Sequence, residues 1–418
     1  MNASRGVARP ALAVLAAGIC AALHVGKLAP AIAALQLALG VTLLQAGFLL
    51  SLVQLAGMSL GLAVGAWADT MGSRRSMLLG LATLGLASIA GALSQGVAAL
   101  MVLRVVEGFG FLLVVLPAPG LLRTLVAPQQ LSRMLGLWGT YMPTATAAAL
   151  LCGPLLIAAW GWRAWWVGLG LLSLVMAAWL ATMVRAAPRT GAPGGDWFGH
   201  VRQTLAASGP WGVALIFAVY SSQWLAVIGF LPTICAQVGL SAAATGVLTA
   251  SVAAANIVGN VASGRALQRG VRAERLLVLG FVTMALSALL TFAAGPAPAA
   301  LRFVAVLVFS GVGGLIPGTL FSLALRVAPQ EPAGPPEGQT PESAARRYTN
   351  ERCVASTVGW MQQWSAAGQF VGPPVAAWLA GQVGGWQWTW AVTGACSALG
   401  VALTLWLSRS LKHGPAAT

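Results

Sequence analysis

Twelve apolar runs, each near the length of a bilayer crossing, follow one another along this chain: 11–32, 43–68, 76–95, 98–122, 134–158, 164–184, 211–235, 244–264, 275–295, 301–325, 354–380 and 388–408. About 20 predominantly apolar residues cross a hydrocarbon core as a helix. In lipid the backbone must satisfy its own hydrogen bonds, which leaves helices or closed barrels. The chain is therefore expected to be an all-α integral membrane protein of twelve transmembrane helices. Composition agrees: of 418 residues 58% are hydrophobic and 7% are charged, against about 25% charged in a soluble domain. Mean hydropathy is +0.83. The first run carries His24 and Lys27 and lacks a clear small-residue cleavage site, so it reads as a retained helix rather than a signal peptide.

A net charge of +15 would suit nucleic acid if the charges formed one basic face, but they fall in short clusters on every second loop. Nineteen of the 23 Lys and Arg lie on one side. Only Lys27, Arg104, Arg163 and Arg302 fall elsewhere. This bias places both termini in the cytoplasm. The opposite loops are short and rich in tryptophan (Trp160, Trp162, Trp165, Trp166; Trp386, Trp388, Trp390), which reads as interfacial anchoring. Arg greatly outnumbers Lys, as in a GC-rich bacterial genome, so the expected location is a bacterial inner membrane.

Residues 186–209 combine Pro188, Gly191, Pro193, Gly194 and Gly195 with arginines and read as a flexible linker. They divide a six-helix bundle at 1–185 from a second at 210–418. The loop 327–350 carries five prolines and reads as largely disordered, with a helical tendency near Glu342 to Arg347. The two halves repeat each other. Gly153-Pro154 answers Gly372-Pro373, Gly108-x-Gly110 answers Gly311-x-Gly313, Gly72-x-Arg74 answers Gly270-x-Arg272, and Gly161-Trp162 answers Gly385-Trp386. Two similar halves in parallel imply a binding site between them.

Several chemistries are disfavoured. Lys27 and Lys412 are the only lysines and neither completes a phosphate-binding G-x-x-x-x-G-K-[ST] loop. His24, His200 and His413 are far apart, so no metal and no cofactor is expected. Of Cys20, Cys152, Cys235, Cys353 and Cys396, four fall in apolar runs and read as small buried hydrophobes.

The stretch Gly65-Ala-Trp-Ala-Asp69-Thr-Met-Gly72-Ser-Arg74-Arg75 resembles the major facilitator superfamily signature G-x-x-x-D-x-x-G-R-R/K, with Ser73 at a position often basic. Arg104 with Gly108 and Gly110 is similar to the family's fourth-helix motif, and Gly153-Pro154 to a reduced fifth-helix motif. The fuller glycine-rich form typical of drug/proton antiporters is missing. Within the family, Arg104-Val-Val-Glu107-Gly-Phe-Gly and Gly136-Leu-Trp138-Gly-Thr-Tyr141-Met-Pro143 resemble bacterial cyanate and nitroimidazole permease relatives. The resemblance implies two pseudo-symmetric six-helix bundles, alternating access, and a cavity lined by spans 1, 4, 7 and 10.

The residues carry their own reading. Gly65 and Gly72 permit close helix approach and a tight turn; Asp69, one of two aspartates, needs a partner there, and Arg74 or Arg75 can supply it in a cytoplasmic gate. Lys27 lies roughly 24 Å along the first span, with His24 three residues earlier on the same face. A buried cation needs an anion, a carbonyl or water, so Lys27 either binds an anionic solute or snorkels to the interface. Arg104 and Glu107 share a face of span 4, as a structural ion pair or as a proton-coupling pair with Glu107 taking the proton. Arg302 is an interface anchor or a cavity cation. Tyr141, Gln223, Trp224, Asn256 and Gln363 belong to polar and aromatic clusters that either bond between helices or line a pocket.

The expected function is secondary transport of a small organic or inorganic anion, because in-span cations outnumber the one in-span carboxylate, with protons as a candidate coupling ion, the bilayer as surroundings and a monomer as the working unit. The alternative is a proton-coupled exporter of apolar drugs. A membrane enzyme would need clustered acids, histidines or metal ligands, which the spans do not offer. Reporter fusions within 69–75, 186–209 and 327–350 should all report cytoplasm; a periplasmic signal from 186–209 would overturn the division into halves.

Overall fold

The structure, a computed structural model, describes residues 9–61, 71–185, 197–293, 298–329 and 341–413. Among the described residues there is helix and no strand. Ten helices are long and apolar enough to cross a membrane. One of them, Tyr141–Met183, turns sharply at Gly161 (φ 80°, ψ 165°), a left-handed conformation open to glycine, and so counts as two. With Pro341–Val383, which contains the predicted run 354–380, each of the twelve runs contributes a helix among the described residues.

In chain order these are α1 (Arg9–Leu39), α2 (Leu43–Gly61), α3 (Ser73–Ala92), α4 (Val97–Leu125), α5 (141–160), α6 (162–183), α7 (Ser208–Gln237), α8 (Ala242–Gln268), α9 (Ala273–Phe292), α10 (Ala299–Val327), α11 (Pro341–Val383) and α12 (Thr389–His413). Helix α1 breaks after Gly26 into a 3-10 turn at Ala29–Ala31, because Pro30 has no N–H to continue the ladder. Two further helices, Pro128–Trp138 and Trp197–Ala206, lie outside the spans. The second occupies the latter part of the expected linker and packs on α11. The expected disordered loop is helical from Pro341 onward; residues 330–340 lie outside the described residues.

The repeat read from glycine motifs is a repeat of packing. In the first half α1 packs on α5, α2 on α4, and α3 on α4 and α6. The second half has α7 on α11, α8 on α10, and α9 on α10 and α12. The halves meet through α2 with α11 and α5 with α8, which exchange under the pseudo-twofold, and through the outer part of α1 with α7. Matching glycines do matching work. A Cβ on Gly108 would meet the Val53 carbonyl of α2, and one on Gly311 would lie 3.6 Å from Ala255 of α8. Gly110 faces Gly80 of α3, and Gly313 faces Met284 of α9. Gly153 fits against the Pro30 ring, and Gly372 against the Ser222 carbonyl of α7. Lipid supplies no hydrophobic drive between helices, so such close backbone approaches hold a membrane bundle together.

Two expectations are corrected. Of the cysteines in apolar runs Cys20 is buried, but Cys152 is exposed and Cys235 and Cys396 are half-buried. Trp160 is 71% exposed, as an anchor should be, but Trp162, Trp165 and Trp166 are buried inside the first bundle.

These contacts assign opposite signs to two conservative substitutions. Gly372→Ala should destabilise by about 1–3 kcal/mol through overpacking against α7. Gly264→Ala, whose added Cβ meets open space, should be neutral or stabilising by up to about 1 kcal/mol from helix propensity. Thermal unfolding in detergent micelles would distinguish them; equal shifts would remove the packing argument.

Candidate functional site

The break in α1 creates the centre of the first bundle. Beyond it Ala31 N–H bonds to Leu28 (2.9 Å), so the Lys27 carbonyl is free to accept from Trp165 Nε1 (3.1 Å). One turn earlier, the His24 carbonyl accepts from Arg104 Nη1 (2.7 Å), while Arg104 Nε reaches the Leu49 carbonyl of α2 (3.1 Å). Arg104 thus ties α4 to backbone on α1 and α2. Its Nη1 also donates to Glu107 Oε2 at 2.6 Å, the expected pair on one face of α4.

Glu107 has a second oxygen, and Lys27 Nζ donates to it. The remaining ammonium donors go to Ser88 Oγ on α3 (2.8 Å) and His24 Nδ1 (3.3 Å). An ammonium has three N–H groups, and all three are engaged. His24 Nδ1 therefore accepts, and its Nε2 faces Ser173 Oγ on α6 at 2.8 Å. The Trp166 ring lies 4.7 Å from Nζ, within cation–π reach, and Ser88 Oγ donates to the Trp166 carbonyl (2.7 Å). His24, Lys27 and Arg104 have no exposure and Glu107 has 1%. Removing one member of such a buried pair typically costs 3–5 kcal/mol, because the other charge is left uncompensated.

This corrects the expectation that Arg104 monopolises Glu107 and leaves Lys27 to an outside anion. A carboxylate's two oxygens serve both cations. Snorkelling is also excluded for Lys27, which points inward.

The second bundle holds a neutral network. Asn256 Nδ2 on α8 donates to Tyr220 OH on α7 (2.8 Å) and to the Ser310 carbonyl on α10 (2.9 Å). Asn260 Nδ2 donates to Asn256 Oδ1 (2.9 Å), and Trp224 Nε1 to Ser310 Oγ (3.2 Å). Gln223 Oε1 accepts from Ser397 Oγ on α12 (3.1 Å), away from the interface of the halves. Tyr141 stacks on Trp138 with centroids 4.7 Å apart and stays inside the first bundle.

Between the halves lies a narrow cleft of about 10 Å³, room for about one water, lined by Val25, Gly26, Ala29, Leu50, Met142, Thr146, Trp224, Leu225, Ile228, Gly229 and Gln369. Of the sequence-predicted binding residues only Trp224 lines it. Gln363 instead crosses the interface, donating to the Met58 carbonyl on α2 (2.8 Å). A parallel bond joins Gln54 Nε2 of α2 to Gln369 Oε1 of α11 (2.9 Å). Gln54, Ser88, Ser173 and Ser365 carry no sequence signal, since one polar residue on an apolar helix is common; Trp166 gave a signal, but for the bilayer interface.

Of the predicted gate, Gly65 and Asp69 lie outside the described residues. Gly72 turns at φ 91° and caps the start of α3. Arg74 donates to the carbonyls of Val184 (2.6 Å) and Ala181 (2.9 Å), at the end of α6, where cations complement the helix dipole. Arg75 is exposed.

The sequence profile of the Major Facilitator Superfamily matches residues 14–335. A tetracenomycin C resistance and export protein of Streptomyces glaucescens is 35% identical over 128 residues, 30% of this chain and 24% of that one. An uncharacterized transporter of the same type from Mycobacterium tuberculosis is 26% identical over 181 residues, 40% of this chain and 29% of that one. The chain thus aligns with less than a third of the length of either relative. In structure it is similar to a bacterial homolog of the human lysosomal transporter Spinster, inward-facing and occupied (TM-score 0.73, 16% identity, 97% and 98% of the chains covered). It is also similar to a D-xylose-proton symporter (TM-score 0.73, 14% identity, 94% and 96% covered). At these identities the likeness is one of fold.

The buried cluster sets a test by non-additivity. Glu107→Gln should lower stability by about 3–5 kcal/mol, because it leaves Lys27 and Arg104 buried without their shared counter-charge. Glu107→Gln combined with Lys27→Ala should recover part of that loss, since one buried cation then remains instead of two. Thermal melts of the purified variants check this; additive losses would mean that the two side chains do not interact.

Proposed function

The chain belongs to the Major Facilitator Superfamily, and from that premise we propose that this secondary transporter exports an apolar, aromatic solute in exchange for protons. One observation carries the reading: the cleft between the halves is apolar, and the in-span charges of the first bundle are buried beside it rather than in it. Thr146, Trp224 and Gln369 are its polar members. Few polar groups in an apolar, aromatic wall suit a neutral or weakly polar ligand. The name of the Streptomyces relative, a resistance and export protein, supports the same direction over the 30% of the chain that matches.

Glu107 is the fully buried carboxylate among the described residues. Its negative charge holds Lys27 and Arg104 together. A proton on Glu107 leaves two cations facing each other; two unit charges 4 Å apart repel by about 4 kcal/mol at an effective dielectric of 20. That energy drives α1 from α4 and offers a switch between the outward and inward states. Deprotonation restores the cluster. On this reading the protein works as a monomer in a bacterial inner membrane, termini in the cytoplasm.

A second reading, transport of a small organic or inorganic anion, is favoured by Arg104 Nη2, which is buried without a hydrogen-bond partner among the described residues. The two differ in what competes for binding: apolar dyes in the first, chloride-sized to carboxylate anions in the second.

Glu107→Gln should abolish pH-gradient-driven accumulation of a fluorescent apolar dye in everted vesicles while dye binding to the purified protein persists. Gradient-driven accumulation at the wild-type rate would place coupling elsewhere.

A further inference from the structure

Gln369 is the cleft residue whose side chain also joins the two halves. It sits on α11, lines the cleft, and accepts from Gln54 Nε2 of α2 at 2.9 Å. Its own Nε2 reaches Ser365 Oγ at 3.3 Å, a long contact, and Ser365 is bonded to Ser221 of α7 at 2.7 Å. A primary amide offers two donors and two acceptor positions. One donor and one acceptor position of Gln369 remain for a ligand. The other polar group with a defined partner in the cleft, Trp224 Nε1, is engaged by Ser310.

The seam around this bond is close-packed. Gly57 lies against Ala366 and Gly61 against Gln363, with added Cβ atoms at 3.1 and 3.2 Å, and Gly47 lies against Pro374 at 2.9 Å. Gln54 is 3% exposed. Gln54 and Gln369 come from opposite halves, so their bond is one of those that hold the halves together beside the cleft. Parting them leaves Gln54 buried with an unmet donor, a cost that a competing hydrogen bond to Gln369 offsets.

Resting on the apolar-solute reading, we propose that Gln369 is the specificity-determining residue of the cleft: it selects solutes that carry a hydroxyl, carbonyl or amide on an aromatic frame. Such a solute bonds Gln369 and competes with Gln54 for its oxygen, which loosens the α2–α11 contact at that point. A purely hydrocarbon solute of the same outline gains the cleft's apolar contacts but not this exchange.

A matched pair of fluorescent probes tests this. In 9-anthracenemethanol a hydroxyl replaces one hydrogen of the methyl group of 9-methylanthracene, with the ring unchanged. Their affinities would be measured on purified protein in lipid nanodiscs. Wild-type protein should prefer the alcohol, and Gln369→Leu should reduce that preference about fivefold, as expected for one net hydrogen bond. Gln54→Leu should act in the opposite sense, tightening the alcohol about fivefold, because no bond across the seam must be broken first. It should leave the affinity for 9-methylanthracene within about twofold of its wild-type value. A Gln54→Leu variant that binds the alcohol no better than wild type overturns the exchange, whether or not Gln369→Leu folds. Binding of both probes with no preference overturns the role of Gln369 and leaves the apolar-solute reading standing. Binding of neither probe overturns both.

Discussion

Hydrocarbon hydrates nothing, and this fold is organised around that fact. A backbone carbonyl or a side-chain charge that leaves its helical pattern must find a protein partner. Pro30 breaks α1, and the carbonyls near the break are taken up by Arg104 and Trp165. Arg104 and Lys27 need a counter-charge, and both find Glu107. The irregularity in α1 and the charges of α4 are therefore one arrangement. Helices α1, α3, α4 and α6 are held around it through Ser88 and Ser173 as well as the ions.

The two bundles share a packing plan but not a chemistry. Helix pairs recur six helices later, with glycines at the same approaches. Where the first bundle buries an ion cluster, the second buries an amide and hydroxyls, Asn256, Tyr220 and Ser310, with the half-buried Asn260 bonded to Asn256. Backbone shape is what pseudo-symmetric alternation requires of both halves. Charge can be confined to one of them: among the described residues the buried ion cluster lies in the first bundle.

Arg74 shows the same economy on a smaller scale. Among its contacts with the described residues, it caps the carbonyl end of α6. A cation at a helix C-terminus meets both the free carbonyls and the dipole. This contact ties the start of α3 to the end of α6.

Helix number, length and order were legible in the sequence because burial in lipid is a local property: twenty apolar residues declare themselves without reference to the rest of the chain. The repeat was legible for a related reason, since a glycine that lets two backbones touch has no substitute of similar size. The costly residues His24, Lys27, Arg104 and Glu107 could be picked out singly, because a charge in a span is expensive wherever it points. Their pairing could not. Lys27 and Glu107 are 80 positions apart, and whether they meet depends on the rotation of α1 and α4 against α3 and α6. That rotation is set by shape at Gly80, Gly85, Gly108 and Gly110 rather than by the charges themselves. The same holds for Gln54 and Gln369, 315 positions apart, and for the inward turn of Trp166. Hydropathy is summed along one helix, whereas a hydrogen bond between helices depends on the docking of several, and only the assembled bundle decides it.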